Sequence, residues 1–104
     1  METKNAVIDH TFLGVEDHNV LTYFLHLKGE GWGQGLGGYF CDHEFLALSI
    51  RRILETLEVS SWEGLPHTHV RIKGDRCQIH SIGHILKDQW YNVKEHAVEV
   101  QKPA

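Results

Sequence analysis

The sequence predicts an α+β domain: an antiparallel β-sheet of about five strands, in the order β-β-α-β-β-β, with one main helix packed on it. Three observations predict this. Short segments of alternating polarity recur on both sides of a single helical stretch, that stretch carries apolar residues at helical spacing, and glycine- and aspartate-rich turns separate the segments. A chain of 104 residues builds one domain (1–104) around one modest core.

Residues 7–13 read as the first strand, with Gly14, Glu16, Asp17 and His18 in the turn that follows. Residues 20–28 read as the second. Leu21, Tyr23, Leu25 and Leu27 share one of its faces, and Val20, Thr22, Phe24 and His26 share the other, so both faces are apolar enough to predict a central or doubly covered strand. Asp42 can cap a helix over residues 44–58, whose predicted buried stripe is Leu46, Ile50, Ile53, Leu54 and Leu57, with Arg51, Arg52 and Glu55 nearer its polar side. Residues 60–66 form a connector with Trp62 packed beneath it. Strands are expected at 69–73 and 76–82 around a Gly74-Asp75 turn, and Ile85-Leu86 with residues 90–93 reads as a last hairpin around Lys87-Asp88-Gln89.

Net charge is −4, which argues against a nucleic-acid polymer as partner, because such binding draws on many lysine and arginine contacts. A small anion needs only two or three well-placed cations. No apolar run approaches the roughly 18 residues of a membrane span. The start shows no basic segment followed by an apolar one, so a cytoplasmic location is expected, with Cys41 and Cys77 as free thiols.

Residues 29–39 hold six of the ten glycines, one at every second position from Gly29 to Gly37. Extended, such a segment has one bare face, while Glu30, Trp32, Gln34 and Leu36 point the other way. A bare face admits a close neighbour. Two readings stand side by side: a flexible hairpin loop, or a pocket wall in which Gly33, Gly35 and Gly37 allow close approach and Trp32, Gln34 and Tyr39 make contacts. The stretch from Gly33 to Gly38 matches G-x-G-x-x-G, but a dinucleotide unit also needs strand, turn and helix within a parallel sheet, which this pattern does not offer.

Nine histidines is a high count, yet no C-x-x-C, H-E-x-x-H or comparable ligand spacing occurs, and no metal or cofactor is assigned from spacing. His67 and His69 would share a strand face. No nucleophile sits in a recognisable local signature and no paired carboxylates have acid/base spacing, so a binding module is favoured over an enzyme. Of the four arginines, Arg51 and Arg52 diverge by about 100° on the helix, and Arg71 lies opposite Val70 and Ile72 on its strand. A guanidinium fork suits phosphate oxygens. Trp32 and Trp90, each near a turn, could stack a base.

The run Leu13-Gly14-Val15-Glu16-Asp17-His18, an apolar strand, and Gly33-Gln34-Gly35-Leu36-Gly37-Gly38-Tyr39 resembles the opening of small phage proteins of the first Thoeris anti-defence family. A helix, Leu57-Glu58-Val59-Ser60-Ser61-Trp62-Glu63, Val70-Arg71-Ile72 and the stretch from Ile82 to Trp90 follow in the same order, so the resemblance covers about residues 7–93. It implies a sponge acting in the cytoplasm of an infected bacterium, which binds a cyclic ADP-ribose signal without cleaving it. It also implies a homo-oligomer, dimer to hexamer, with pockets between subunits, and for some members a separate site for cyclic oligonucleotides. Candidate ligand contacts, chosen on chemistry and the shared motifs, are Arg51 and Arg71 for phosphates, and Trp32 or Trp90 for the base. Gln34, His84 and Asn92 would supply hydrogen bonds, and Gly33, Gly35 and Gly37 close approach.

Two other readings stay open. One is an enzyme that degrades a nucleotide through a histidine-bound metal, and the other is an inhibitor that binds a host protein directly through the glycine-rich face.

Overall fold

The computed structural model describes residues 2–37, 42–74 and 78–101. Six strands form one sheet: β1 (Glu2–Val15), β2 (Leu21–Gly29), β3 (Trp32–Gly37), β4 (His69–Gly74), β5 (Ile79–His84) and β6 (Trp90–Asn92). Their order across it is β3-β2-β1-β4-β5-β6, and every neighbouring pair is antiparallel. Helices α1 (His43–Leu57) and α2 (Val93–Gln101) pack on one face of this sheet and on each other. The α+β class and the antiparallel sheet agree with the sequence reading.

The long strand β1 joins the two halves of the sheet. Residues 2–7 pair with β4, from Glu2 opposite Gly74 to Val7 opposite His69, while residues 7–15 pair with β2. The sequence reading starts this strand at residue 7 because Thr3, Lys4 and Asn5 carry no apolar alternation; all three are exposed, and ladder pairing with β4 makes them a strand. The glycine-rich segment is edge strand β3, not a flexible loop, and it pairs with β2 from Trp32 opposite Gly29 to Gly37 opposite Phe24. Ile85 and Leu86 are not a strand. They sit in the bend between β5 and β6, which the His84 N–H closes on the Gln89 carbonyl, and Leu86 is almost wholly exposed. Helix α2 was not anticipated. Its start is capped by Asn92, whose amide oxygen accepts from the Glu95 N–H. Tyr39, Cys41, Arg76, Cys77 and the Asp75 half of the Gly74 turn lie outside the described residues.

One face of the sheet makes the core. Ala6, Ile8, Tyr23, Leu25, Leu27, Leu36, Val70, Ile72, Ile82 and Tyr91 meet Phe45, Leu46, Ile53 and Leu57 of α1. Asp42 caps α1 as expected, accepting from the Glu44 N–H at 3.0 Å. The buried stripe is rotated from the predicted one, however. Ser49 and Thr56 are buried, whereas Ile50 and Leu54 are only partly so. The reason is a polar network inside the core. The Ser49 hydroxyl lies 2.6 Å from the Tyr23 hydroxyl and accepts from that of Tyr91 at 2.8 Å, and Tyr91 in turn meets His96 Nδ1 at 2.6 Å. Buried hydroxyls are costly without partners, so Ser49 faces inward where an apolar residue would leave two phenols short of a bond. Burial pushes both phenols up from their ordinary pKa, keeping them neutral. Trp62 packs edge-on against Tyr23 beneath the connector, as the sequence reading has it.

Candidate functional site

The face of the sheet opposite the helices carries the chemistry. Strand alternation puts Arg71 and Lys73 of β4 there, because Val70 and Ile72 are buried on the core side. Across the ladder Arg71 faces Gly83, which faces Trp90, and Lys73 faces Ser81, which faces Asn92. The indole of Trp90 lies against Gly83; a Cβ there would come within 2.6 Å of the ring. Only glycine lets the ring lie flat across β5 toward β4. There it meets two cations, Lys73 Nζ at 4.1 Å from the ring centroid and Arg71 Cζ at 4.9 Å.

The Arg71 guanidinium is held in place by the chain itself. Its Nε donates to the His84 carbonyl at 2.9 Å and one terminal nitrogen donates to the Lys87 carbonyl at 2.7 Å. The bend at residues 85–88 is held in turn from the helix side. Lys87 and Gln89 both donate to the Glu58 carboxylate, and these donors, Lys87 first, lower the Glu58 pKa from its ordinary value. His84 does not face the open side: its ring lies near Glu58, and its Nδ1 accepts the N–H groups of Leu86 and Lys87.

Of the sequence-predicted contacts, Arg71, Trp90 and Asn92 therefore share one neighbourhood. Asn92 is partly committed there, its oxygen capping α2 and its Nδ2 3.5 Å from His80 Nδ1. Trp32 and Gln34 alternate with the glycines of β3 and so lie on the helix side with Leu36. Trp32 packs half-buried at the core margin, with Lys4 Nζ 5.8 Å from its ring centroid. Arg51 is on the outer surface of α1, paired with Glu55 at 3.1 Å beside a shallow groove of about 710 Å³ that Leu48 and Leu54 help line. Gly33, Gly35 and Gly37 do present a bare open face, but the chain itself fills most of it. A Cβ at Gly35 would meet the Phe24 ring at 2.2 Å, and one at Gly37 the Tyr23 carbonyl oxygen at 2.5 Å. Gly33 is the roomier position, 3.6 Å from the His26 ring.

Sequence reasoning missed Lys73, although its spacing of two from Arg71 places both on one face of any strand. It also missed a second cluster on the open face. The β1–β2 register slips between Ile8 and His10, so Asp9 is an extra, bulged residue beside His10, and His10 stacks on His26 across the ladder with ring centroids 4.6 Å apart. Asp9 Oδ2 is 2.9 Å from His10 Nδ1, a hydrogen bond that lowers the Asp9 pKa, helped by the charge of Lys28. One ligand-type atom from each of Asp9, His10 and His26 falls within 4.8 Å of the others.

No helix among the described residues is long and apolar enough to cross a membrane. No protein-family model, characterised protein or solved structure matches the chain.

Proposed function

We propose that the chain is a non-catalytic sponge that binds and holds a cyclic ADP-ribose-type nucleotide, blocking the Thoeris response of an infected bacterium. The observation that carries this reading is the Arg71–Lys73–Trp90 cluster: two cations and a flat aromatic on an open sheet face. A pyrophosphate calls for the cations, and a purine calls for the flat surface. The carbonyls of His84 and Lys87 pre-orient the guanidinium, so less ordering is left to the ligand. The resemblance of residues 7–93 to the Thoeris anti-defence family supplies the identity of the nucleotide.

An open face covers one side of a ligand. A second copy of the chain is the proposed source of the other side, and the exposed Phe12 and Phe24, paired on the open face, give it apolar surface to bury. Cyclic oligonucleotides would occupy a separate site in such an assembly.

The test is capture and release. Purified protein is mixed with a cyclic ADP-ribose isomer and filtered free of unbound ligand. It is then denatured by heat, and the released material is analysed. Intact ligand in stoichiometric amount is expected. Arg71→Ala should weaken capture by about 1.5–3 kcal/mol, the worth of a charge-assisted hydrogen bond and roughly a 10- to 150-fold loss. Arg51→Ala, on the outer face of α1, should leave capture intact. Altered ligand would turn the assignment to catalysis, and no capture would turn it to a protein partner.

A further inference from the structure

The geometry points to a divalent transition-metal site on the open face, formed by Asp9, His10 and His26. It is independent of the nucleotide reading. Asn5, the β1 neighbour of Arg71, lies roughly 13 Å along the strand from His10 at about 3.3 Å per residue, once the bulged Asp9 is set aside.

Two features build the site. The bulge is the first: in a regular strand Asp9 and His10 would point to opposite faces, and the slipped register brings both beside His26. The second is the unused capacity of His26, whose Nδ1 is buried and carries no hydrogen bond. An imidazole nitrogen shut off from water without a partner is a cost that a metal bond would remove.

The donor set selects the ion. Two imidazoles and one carboxylate suit zinc and its neighbours rather than magnesium or calcium, which take oxygen donors. Three protein ligands leave a fourth position for water or an incoming oxygen, as in catalytic rather than structural zinc sites. Ligand atoms around tetrahedral zinc stand about 3.3 Å apart, given metal–ligand bonds of about 2.0–2.1 Å. The present spread, up to 4.8 Å, closes by side-chain rotation of His10 and Asp9, whose side chains are 65% and 38% exposed. The Phe12–Phe24 pair, next along the ladder, gives the site an apolar flank. Lys28 opposes the ion: its Nζ is 3.9 Å from Asp9 Oδ1, on a side chain free to swing outward.

The experiment is a zinc titration of the full chain, stripped with chelator, against a chromogenic competitor, with the histidine ring nitrogens followed by NMR. One equivalent should bind, and the His10 and His26 ring signals should shift together. His26→Ala and Asp9→Asn should each weaken binding by about tenfold or more. Lys28→Ala should tighten it, and His18→Ala, at an exposed turn, should leave it unchanged. Nickel broadening of the same two rings in the unsubstituted protein gives the answer even where a variant fails to fold. Absence of saturable one-to-one binding, undiminished affinity in His26→Ala, or broadening centred on other histidines would overturn the site.

Discussion

The two faces of one sheet are built from alternate residues of the same strands, yet they obey different rules. On the helix side, the identity of each residue is set by area removed from water: Ile8, Leu25, Leu27, Val70 and Ile82 have no exposure at all. On the open side, pairwise geometry decides. Phe24 lies on Gly35, Trp90 lies on Gly83 beneath two cations, and His10 stacks on His26. Stability is therefore concentrated on one face and the proposed recognition on the other, so a substitution should report which face it is on.

The largest effect tests that division directly. Ile53 of α1 is fully buried against the sheet, and Ile53→Ala should cost about 2–5 kcal/mol in chemical denaturation, through lost burial and the cavity left behind. Phe24→Ala removes a larger side chain, but one already 40% exposed, and should cost less. Equal losses would break the comparison. Next comes Ser49→Ala, which removes the oxygen that the Tyr23 and Tyr91 hydroxyls share. The expected loss is about 1–3 kcal/mol, the range for disturbing a buried hydrogen bond. A neutral result would mean that the tyrosines re-pair within the core.

The covered face was legible in the sequence and the open face only in part. Alternation in residues 70–72 marks the buried side of β4 directly, Asp42 with the apolar stripe locates α1, and for β2, apolar on both faces, only the helices decide which side is covered. What escaped depends on partners distant in the chain. Thr3, Lys4 and Asn5 become a strand only because β4 pairs with them. Ser49 and Thr56 turn inward against expectation; for Ser49 the reason is two tyrosines arriving from β2 and β6. The glycine periodicity was visible, and so was its demand for a close neighbour. That the neighbour at Gly35 is the ring of Phe24, leaning diagonally from its place opposite Gly37, depends on register and side-chain direction, which alternation does not encode. The Asp9 bulge is equally silent: adjacent Asp and His residues look like opposite faces until the ladder slips.

Gly83 offers a sharper cut, because it belongs to the open face while being buried itself. Gly83→Ala would place a Cβ 2.6 Å from the Trp90 ring, near its fused edge, where a small swing does not clear it. Overpacking of this kind costs about 1–3 kcal/mol. The specific expectation is displacement of the indole from Arg71 and Lys73, read as a change in Trp90 fluorescence and a loss of nucleotide capture. A variant that kept full capture would remove Trp90 from the proposed binding face.

The smallest effect joins the two faces. Glu58 ends α1 in a left-handed conformation, φ 56°, that favours glycine over a side chain. Its carboxylate collects Lys87 and Gln89, and the Lys87 carbonyl in turn holds Arg71 on the far side of the sheet. Because these donors lower the Glu58 pKa in the folded state, the carboxylate stabilises the fold above its ordinary value of 4.5. That contribution fades as pH falls through the depressed folded value, when the unfolded chain has already taken up its proton. Glu58→Gln should thus melt slightly below the unsubstituted protein at neutral pH, and the gap should close in acid. Exposure keeps the gap small. If the same variant also weakened nucleotide capture at neutral pH, the helix side would be shown to set the position of Arg71, and the two faces would be coupled through a single carboxylate.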